Sequence, residues 1–469
     1  MRCGWAGPLL CAVGWCMKFL ESLKGSQTLV FGAGVTGTAA ADFLRDFGSE
    51  VHVIDEREEN SKVVKSLDGI SLSKQRMAVV SPGWRLDNPL VRSAREAGIE
   101  ILSEIDFAWR VKNEIRPEQI WISLTGTNGK TTTVQMAEAM LLESGISAKA
   151  CGNVGDTAIA NVTASQYSHL IIELSSFQLS WSSAAKFKAS ALLNIAEDHI
   201  DWHGSFSEYA KAKFRISQMC ETFIANFDDP EVNSGLGHIH KPAITYTLNT
   251  PSQGQIGLVE NLIVDRAFAK GDAEVIFELT DVRPAIPHNV SNAMAASGLA
   301  LSVGARPESI SSALRSFNLD HHRLEVVFEK DGVKWVDDSK ATNPHAAKAA
   351  LFSQEKAIWI AGGLAKGADM EELVKSTSNR IKSAILIGTD APIIAAALSE
   401  YAPQIPVKIL NLGKTGIELM REVVQLANAQ AITGDTVLLA PACASMDQFK
   451  DYADRGECFA KAIKEALHV

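Results

Sequence analysis

The sequence carries no excess of positive charge. Lysine and arginine together number 45 against 55 aspartates and glutamates, so the 469 residues have a formal net charge of -10. This balance argues against non-specific binding of nucleic acid, whose backbone attracts basic surfaces. An acidic protein can still bind anionic substrates, but it must do so with local lysines, arginines and helix N-termini. We therefore expect no nucleic-acid partner.

Closely spaced cysteine pairs are also missing. The seven cysteines include no CxxC pair, and an odd number cannot form a complete disulfide framework. Such usage is typical of free thiols in a reducing cytosol, so we expect a cytoplasmic protein. The cysteines are Cys3, Cys11, Cys16, Cys151, Cys220, Cys443 and Cys458.

Long apolar runs are absent except at the start of the chain, "MRCGWAGPLLCAVGWCMKFL". A signal peptide is one interpretation of this stretch. However, glycine, proline and tryptophan interrupt it, and a strand-turn-helix pattern follows soon afterwards at Gln27. We interpret residues 1–26 as an N-terminal extension, with Met17 as a candidate start. No other segment approaches the roughly 20 apolar residues of a membrane span, so we expect no stable membrane insertion.

What the sequence does contain is a repeated alternation of short apolar runs, loops with glycine or aspartate, and amphipathic stretches. This pattern predicts an α/β fold of parallel sheets covered by helices, and the chain is too long for one core. We predict three domains: a Rossmann-like domain (27–112), a central P-loop ATPase-like domain (113–320) and a second Rossmann-like domain (321–469). Residues 226–285 are predicted to be a β-rich insertion. Ligands of such sheets bind at the carboxyl ends of the strands.

The first of these strand ends carries a G-x-G-x-x-G motif at Gly32, Gly34 and Gly37, between a predicted strand and a predicted helix. Asp55 ends the next strand. This context indicates a Rossmann-like unit whose glycines let the backbone approach a diphosphate. The diphosphate could belong to NAD or to a UDP-sugar, and the motif leaves both open.

A second glycine-rich loop lies in "SLTGTNGKTTTV". The usual phosphate-loop pattern needs a glycine at the position of Leu124, so the spacing is shortened. Gly126 and Gly129 still allow successive N–H groups to point inward. Lys130 can reach a terminal phosphate, and Thr131 can offer its hydroxyl to Mg²⁺. With the positive end of the following helix, these residues predict ATP binding.

Possible metal ligands follow two further strands. Glu173 directly follows the apolar run "LII". The segment "LLNIAEDHIDWHG" contains a group of acidic residues and histidines. The spacing His199-x-Asp201-x-His203 could indicate zinc. Without a cysteine, and beside an ATP loop, Mg²⁺ is the better prediction. A solvated acidic turn is the alternative for this segment, whose polar residues are Glu197, Asp198, His199, Asp201 and His203.

At this point the motifs resemble one family. "GTNGKTTT", "ELSSFQL", "EDHIDWHGSFSEYAKAKFRI", "HNVSNAMAA" and "HHRLEVV" are together similar to the Mur ligases of peptidoglycan synthesis, over the chain from about residue 27 to its end. "VDDSKATNPHAA" and "LLAPACASMDQFKDYADRG" resemble the D-glutamate-adding branch. Folyl-polyglutamate synthetases share the ATP loop but differ in the C-terminal motif.

The resemblance implies an ATP-dependent ligase that joins D-glutamate to UDP-N-acetylmuramoyl-L-alanine through an acyl phosphate, releasing ADP and phosphate. Its product would serve cell-wall synthesis and, through it, cell shape and division. The resemblance also implies one or two Mg²⁺ ions, and we expect a monomer. Closure of the third domain would protect the water-sensitive acyl phosphate.

The same resemblance assigns residues by motif. Catalysis and metal binding would involve Lys130, Thr131, Glu173, His199 and Lys213, the last as a carbamate formed with CO₂. ATP would meet Gly126, Thr127, Asn128, Gly129, Lys130, Thr131, Thr132, Asn289, Asn292, Arg323 and Asp338. The UDP end would meet Gly34, Val35, Thr36, Gly37, Asp55, Ser81, Pro82 and Gly83, and the peptide end Asn153. D-glutamate would meet Lys340, Thr342, Lys366, Ser445 and Tyr452, where the family pattern has phenylalanine in place of tyrosine.

Two other functions stay open on the residues alone. The first is a nicotinamide-dependent oxidoreductase built on Gly32 to Asp55, although such an enzyme would have no need of the second loop. The second is a switch protein in which ATP hydrolysis changes domain contacts without making a product.

Overall fold

The computed structural model describes residues 18–57, 63–164, 166–410 and 413–467. The interpretation of residues 1–17, with the candidate start at Met17, lies outside these ranges. The described chain forms three β-sheets and divides into two compact units. The first unit runs up to Ile195 and includes Ser207–Phe317. The second consists of Ala196–Phe206 and the residues from Asn318 onward.

The first sheet is parallel throughout, with strand order β3-β2-β1-β4-β5. Its strands are β1 (Gln27–Phe31), β2 (Glu50–Ile54), β3 (Val63–Val64), β4 (Gln75–Val80) and β5 (Glu100–Ser103). The accompanying helices are α1 (Lys18–Leu23), α2 (Val35–Asp46), α3 (Pro89–Glu96) and α4 (Glu104–Ile115). The apolar run of β1 is buried, as expected of a strand covered on both faces. Helix α1, within the segment interpreted as an extension, buries Leu20 and Leu23.

The second sheet has nine strands in the order β14-β13-β12-β11-β10-β9-β6-β8-β7. The strands are β6 (Ile120–Thr125), β7 (Ala148–Gly152), β8 (His169–Glu173), β9 (Phe187–Leu192), β10 (Cys220–Asn226), β11 (Ala243–Thr247), β12 (Gln255–Val259), β13 (Leu262–Asp265) and β14 (Glu274–Glu278). Only β12, β13 and β14 pair antiparallel. The segment predicted as a β-rich insertion thus extends this same sheet.

Helices flank the second sheet and fill its core with alanine, leucine and methionine. They are α5 (Lys130–Glu143), α6 (Ala158–Thr163), α7 (Ser176–Trp181), α9 (Phe206–Phe214), α10 (Pro230–Leu236), α11 (Pro287–Leu301) and α12 (Pro307–Ser316). Between α7 and α9 in the chain lies the short helix α8 (Ile200–His203). Helix α8 belongs to the second compact unit. The helix predicted from "HNVSNAMAASGLALSVG" is confirmed as α11.

The third sheet has the order β15-β16-β20-β17-β18-β19 and is parallel except for the pair β15 and β16. Its strands are β15 (Glu325–Lys330), β16 (Val333–Asp337), β17 (Ala357–Gly362), β18 (Ile381–Ile387), β19 (Val407–Ile409) and β20 (Thr436–Leu439). Its helices are α13 (Pro344–Phe352), α14 (Glu371–Thr377), α15 (Ala391–Tyr401), α16 (Gly416–Gln430) and α17 (Tyr452–Ala466). Apolar clusters cover both faces of this sheet. The predicted α/β class with three sheets is confirmed.

Within the first unit, buried acidic residues at the start of α4 join the first sheet to the second. The Asp106 carboxylate accepts hydrogen bonds from the backbone N–H groups of Ser183, Ala184 and Ala185 at 2.8, 2.9 and 2.8 Å. Glu104 accepts one from Ile159 N at 3.1 Å, and burial raises the pKa of Glu104 to about 7. These bonds satisfy backbone groups that would otherwise be buried without partners.

Among the described residues, no helix combines the length and the apolar character needed to cross a lipid bilayer.

Replacement of Asp106 by asparagine should destabilise the first unit. The side chain keeps one acceptor oxygen but turns an amide N–H₂ toward a backbone donor, which leaves a buried N–H without a partner. We expect the free energy of unfolding in urea to fall by about 1–3 kcal/mol. Asp42→Asn is the control, because Asp42 is 63% exposed and pairs only with Arg45, and its effect should stay within about 0.5 kcal/mol. Equal stabilities of the two variants would contradict the proposed role of Asp106 in joining the first sheet to the second.

Candidate active site

The second glycine-rich loop connects β6 to α5, and its two glycines are needed for different reasons. Gly129 caps α5 with φ 80°, in the left-handed region that favours glycine. A Cβ on Gly129 would also lie 2.4 Å from Asn292 Oδ1 on α11. A Cβ on Gly126 would lie 2.9 Å from Leu193 Cβ. At these two positions the loop therefore packs too closely against its neighbours for a residue larger than glycine.

Hydrogen bonds hold this loop in place before any ligand binds. Asn194, just after β9, accepts from Asn128 N at 2.8 Å and donates to Asn128 O at 3.0 Å. The ammonium of Lys130 donates to the carbonyls of Gly126 and Thr127 at 3.0 and 2.9 Å. The Lys130 side chain thus lies across the loop. Its positive charge is close to the partial positive charge at the N-terminus of α5.

Glu173 ends β8, next to β6, where Leu124 pairs with it in register. The side chain is 1% exposed. Its Oε1 accepts a hydrogen bond from Asn153 Nδ2 at 2.9 Å, while its Oε2 is buried and has no partner among the described residues. A buried carboxylate oxygen without a donor is costly, so this atom is suited to a cation or a ligand donor.

Lys213 on α9 reaches the start of the phosphate loop, at the end of β6, the strand next to β8. It is 1% exposed, and its Nζ donates to Gly126 O at 2.7 Å. The Nζ also lies 4.8 Å from the centre of the Tyr209 ring, and the Tyr209 hydroxyl bonds to that of Thr127 at 2.8 Å. By contrast Lys211 is exposed and pairs with Glu208.

The remaining predicted metal ligand, His199, belongs to the second unit. It caps α8 with φ 54°, and its Nε2 lies 3.5 Å from Asp198 Oδ2. The acidic and histidine side chains around it are carried by the same short segment. Of the predicted metal ligands, the first unit therefore brings together Thr131, Glu173 and Lys213 around one strand end.

Two residues predicted to contact ATP, Asn289 and Asn292, lie in the first turns of α11. Asn289 Nδ2 donates to Pro284 O at 3.1 Å, and Asn292 contacts the glycine loop as described above. Both are buried. Helix α11 therefore places the amide of Asn292 beside the phosphate loop, and Asn289 lies about one turn earlier on the same helix.

The first glycine-rich loop lies at the carboxyl ends of the neighbouring strands β1 and β4. A Cβ on Gly37 would lie 1.8 Å from Gly32 O, so this position accepts only glycine. The Asp55 carboxylate accepts from Ala33 N at 2.9 Å and Arg57 N at 3.1 Å, and so it shapes the loop. The structure thus groups the residues predicted for the UDP end: Gly34, Val35, Thr36, Gly37, Asp55, Ser81, Pro82 and Gly83.

In the second unit, a turn before β15 and the loop after β16 carry Arg323 and Asp338. Asp338 Oδ1 accepts from Leu324 N at 3.2 Å, and withdrawal from water raises the Asp338 pKa to about 7. Beside them His322 Nδ1 lies 2.7 Å from Asp337 Oδ2. This contact raises the pKa of His322. These two contacts hold the turn before β15 against the end of β16 and the loop that follows it.

Comparison with known proteins agrees with this arrangement. Three family models match in chain order: "Mur ligase MurD-like, N-terminal domain" at residues 26–103, "Mur ligase middle domain" at 124–300, and "Mur ligase, glutamate ligase domain" at 322–443. A UDP-N-acetylmuramoylalanine--D-glutamate ligase of Thermobifida fusca is 42% identical over 465 residues, 94% of this chain and 99% of that protein. The chain belongs to the Mur ligase family.

Other relatives support the same membership. The equally named ligase of Streptomyces coelicolor is 42% identical over 469 residues, 95% of this chain and 99% of that protein. Among solved structures, a pseudomurein peptide ligase type C from Methanothermus fervidus has a TM-score of 0.60 at 18% identity, covering 94% of this chain and 100% of its own. MurF from Acinetobacter baumannii has a TM-score of 0.60 at 16% identity, with coverage of 95% and 92%. At such identities the structures support the fold alone.

Sequence reasoning missed two residues of this Mur ligase. One is Asn194, which the sequence could have indicated because it lies just after a strand, where ligands of parallel sheets bind. The other is Arg455 on α17, which is wholly buried and donates to Ser339 O at 2.9 Å and Cys443 O at 3.1 Å. Burial lowers its pKa to about 10. An arginine in an amphipathic helix is normally expected at the surface, so no sequence signal indicated it.

The loops that Arg455 connects carry most of the predicted D-glutamate residues. Ser339 lies beside Lys340, and Cys443 lies close to Ser445 in the chain. Lys340 Nζ is 5.1 Å from the centre of the Tyr452 ring. Lys366 adopts a left-handed φ of 53° in the loop after β17. The structure therefore gathers these residues at the carboxyl edge of the third sheet, with Thr342 on the loop after β16.

Gly129→Ala should impair nucleotide binding more than its backbone strain alone explains. The new methyl group would overlap Asn292, so the loop must shift. We expect the affinity for ADP, measured by calorimetric titration with magnesium, to fall at least about ten-fold, or about 1.4 kcal/mol.

Gly145→Ala is the matched control for this substitution. Gly145 lies just past the other end of α5, with φ 75° and open space around its Cβ position. It should lose about 1 kcal/mol of stability and keep the wild-type affinity for ADP. Equal affinities in the two variants would show that the contact with Asn292 is irrelevant to nucleotide binding.

Proposed function

We propose that this chain joins D-glutamate to UDP-N-acetylmuramoyl-L-alanine, with ATP as the energy source and with ADP and phosphate as the other products. The reaction belongs to peptidoglycan synthesis. The observation that carries this conclusion is the 42% identity, over 94% of the chain, to a protein named for that activity. A UDP-sugar, rather than NAD, is accordingly the ligand proposed for the first glycine loop.

The reaction requires two negatively charged partners to meet. A carboxylate oxygen of the substrate attacks the γ-phosphorus of ATP, which gives an acyl phosphate and ADP. The amine of D-glutamate then attacks the acyl carbon, and phosphate leaves as the amide forms. Each step is slow unless positive charge offsets the repulsion between the anions. The protein therefore contributes mainly position and electrostatic stabilisation.

We assign the ATP phosphates to residues 126–132 and to the ammonium of Lys130. The preformed loop, with its N–H groups at the start of α5, supports this role. Asn289 and Asn292 are proposed for the adenine, and Arg323 and Asp338 for the phosphates and ribose. The last two lie in the second unit and are assigned by the resemblance alone.

The chemistry of the side chains fits a magnesium site. Glu173 offers a buried oxygen without a partner, and Thr131 offers a hydroxyl at the start of α5. When bound, Mg²⁺ would neutralise charge on the phosphate oxygens. We propose Thr131, Glu173, His199 and a carbamate on Lys213 as its ligands, with His199 assigned by the resemblance alone.

Burial supports the carbamate on Lys213. A fully buried ammonium loses its hydration, which is unfavourable for the charged form. A neutral amine can add CO₂ and release a proton, which produces an anion with two oxygens for a hard cation. The exposed Lys211 has no such environment.

The remaining substrate contacts are assigned by motif and by their grouping in the structure. Asn153, which is hydrogen-bonded to Glu173, is proposed to contact the peptide end of the UDP substrate. Lys340, Thr342, Lys366, Ser445 and Tyr452 are proposed for D-glutamate, whose two carboxylates would pair with the lysines. Location in the cytoplasm and a monomeric state stay predictions.

An assay of phosphate release tests the proposed function. Purified protein with ATP and magnesium should release phosphate only when both UDP-N-acetylmuramoyl-L-alanine and D-glutamate are present, and a new amide should appear by mass spectrometry. L-glutamate serves as the control amino acid. Phosphate release with ATP alone, at the rate seen with both substrates, would instead indicate a nucleotide-driven switch.

Lys213→Ala tests the carbamate. The variant should lose activity by about a hundred-fold, as expected when one electrostatic group of an active site is removed. Added acetate or formate should restore part of the rate, because a short carboxylate can occupy the place of the carbamate. Lys211→Ala is the matched control and should keep full activity. A fully active Lys213→Ala enzyme without added carboxylate would exclude the carbamate role.

A further inference from the structure

Two side-chain donors face the first glycine-rich loop without protein acceptors. A Cβ on Gly32 would lie 2.6 Å from Ser81 Oγ and 3.2 Å from Trp84 Nε1, and a Cβ on Gly37 would lie 2.9 Å from the same Ser81 Oγ. Ser81 Oγ is buried and has no partner in the described part of the chain. The indole N–H of Trp84 also donates to no acceptor among the described residues.

Trp84 is held at its ring and at its backbone. Its ring packs edge-to-face on Phe31, the last residue of β1, with centres 5.2 Å apart and planes at 63°. Its backbone carbonyl accepts a hydrogen bond from Trp181 Nε1 at 2.9 Å. A donor fixed in this way loses little conformational freedom when a ligand binds, which favours affinity.

The carboxylate beside the loop is already hydrogen-bonded. Both oxygens of the Asp55 carboxylate already accept backbone N–H groups of the loop region. Helix α2 begins at Val35, and no side chain caps its N-terminus. Backbone N–H groups, a hydroxyl and an indole N–H therefore surround one space, and a ligand rich in acceptor oxygens fits it.

We propose that Trp84 is a further substrate-binding residue, whose indole N–H donates, together with the Ser81 hydroxyl, to a diphosphate oxygen of the nucleotide-sugar substrate. This inference rests on the proposed function, because it takes a UDP-sugar as the ligand of the loop. It adds a residue beyond the loop residues assigned by motif.

The bond from Trp181 gives Trp84 a second role. Helix α7 starts directly after the strand end that carries Glu173, and it ends at Trp181. The residue that contacts the diphosphate is therefore tied by one short helix to the strand end where the phosphate of ATP is proposed to bind. The UDP end of the substrate is positioned relative to the reacting centre within one compact unit.

Trp84→Phe is the test, because phenylalanine keeps an aromatic ring but removes the N–H donor. Binding of UDP and of uridine to the full-length protein is measured by calorimetric titration. We expect the affinity for UDP to fall about ten-fold, the effect of losing one hydrogen bond to a charged group, and the affinity for uridine to stay unchanged. The KM for the UDP substrate should rise, while the KM for D-glutamate should not.

Trp109→Phe is the matched control, an identical change on α4, where Trp109 packs on Trp121. It should leave both affinities unchanged. Ser81→Ala should show the same selective loss of UDP affinity. If Trp84→Phe unfolds at a lower urea concentration, Trp84→Leu, which also lacks the N–H donor, takes its place.

The outcomes separate this inference from the proposed function. Wild-type UDP affinity in a stably folded Trp84→Phe variant would overturn the inference, whatever Ser81→Ala shows, and would leave the function intact. An equal loss of UDP and uridine affinity would also overturn it, since the ring would then contact the base rather than the diphosphate. A wild-type protein that binds neither UDP nor the UDP substrate would overturn both.

Discussion

The structure depends on the parallel pairing of β6 with β8 on one side and β9 on the other. Because parallel strands end at the same edge of a sheet, this pairing brings three separate sequence segments together. The phosphate loop follows β6, Glu173 ends β8, and Asn194 follows β9. A one-residue slip in register would turn Glu173 to the other face, so the buried apolar residues of these strands also position the chemistry.

Burial of charged groups is the cost of this arrangement. Glu173 and Lys213 are both removed from water beside the phosphate loop, and burial of a charge is unfavourable unless partners replace the solvent. The backbone carbonyl of Gly126 and the amide of Asn153 are among these partners, whereas Glu173 Oε2 has none among the described residues. A cation or a ligand donor that bound beside this oxygen would offset the unfavourable burial.

The two glycine-rich loops of the first unit are connected by packed protein rather than by a flexible linker. Asp106 binds the backbone directly after α7, and Trp181 binds the backbone of Trp84. The two loops are therefore fixed relative to each other within the first unit. Arg455 does a comparable task in the second unit, where its guanidinium joins loops from neighbouring strands of the third sheet.

The sequence by itself determined the class of fold, the strands that end in polar loops and the family, because glycine spacing and apolar runs are local signals. The helix of "HNVSNAMAASGLALSVG" and both glycine loops were predictable for this reason. Only the tertiary structure decided that β11 to β14 extend the central sheet, that Lys213 is buried while Lys211 is not, and that Asn194, Trp84 and Arg455 contact the loops. Those facts depend on residues distant in the chain, and a local pattern carries no information about which distant side chain will become its neighbour.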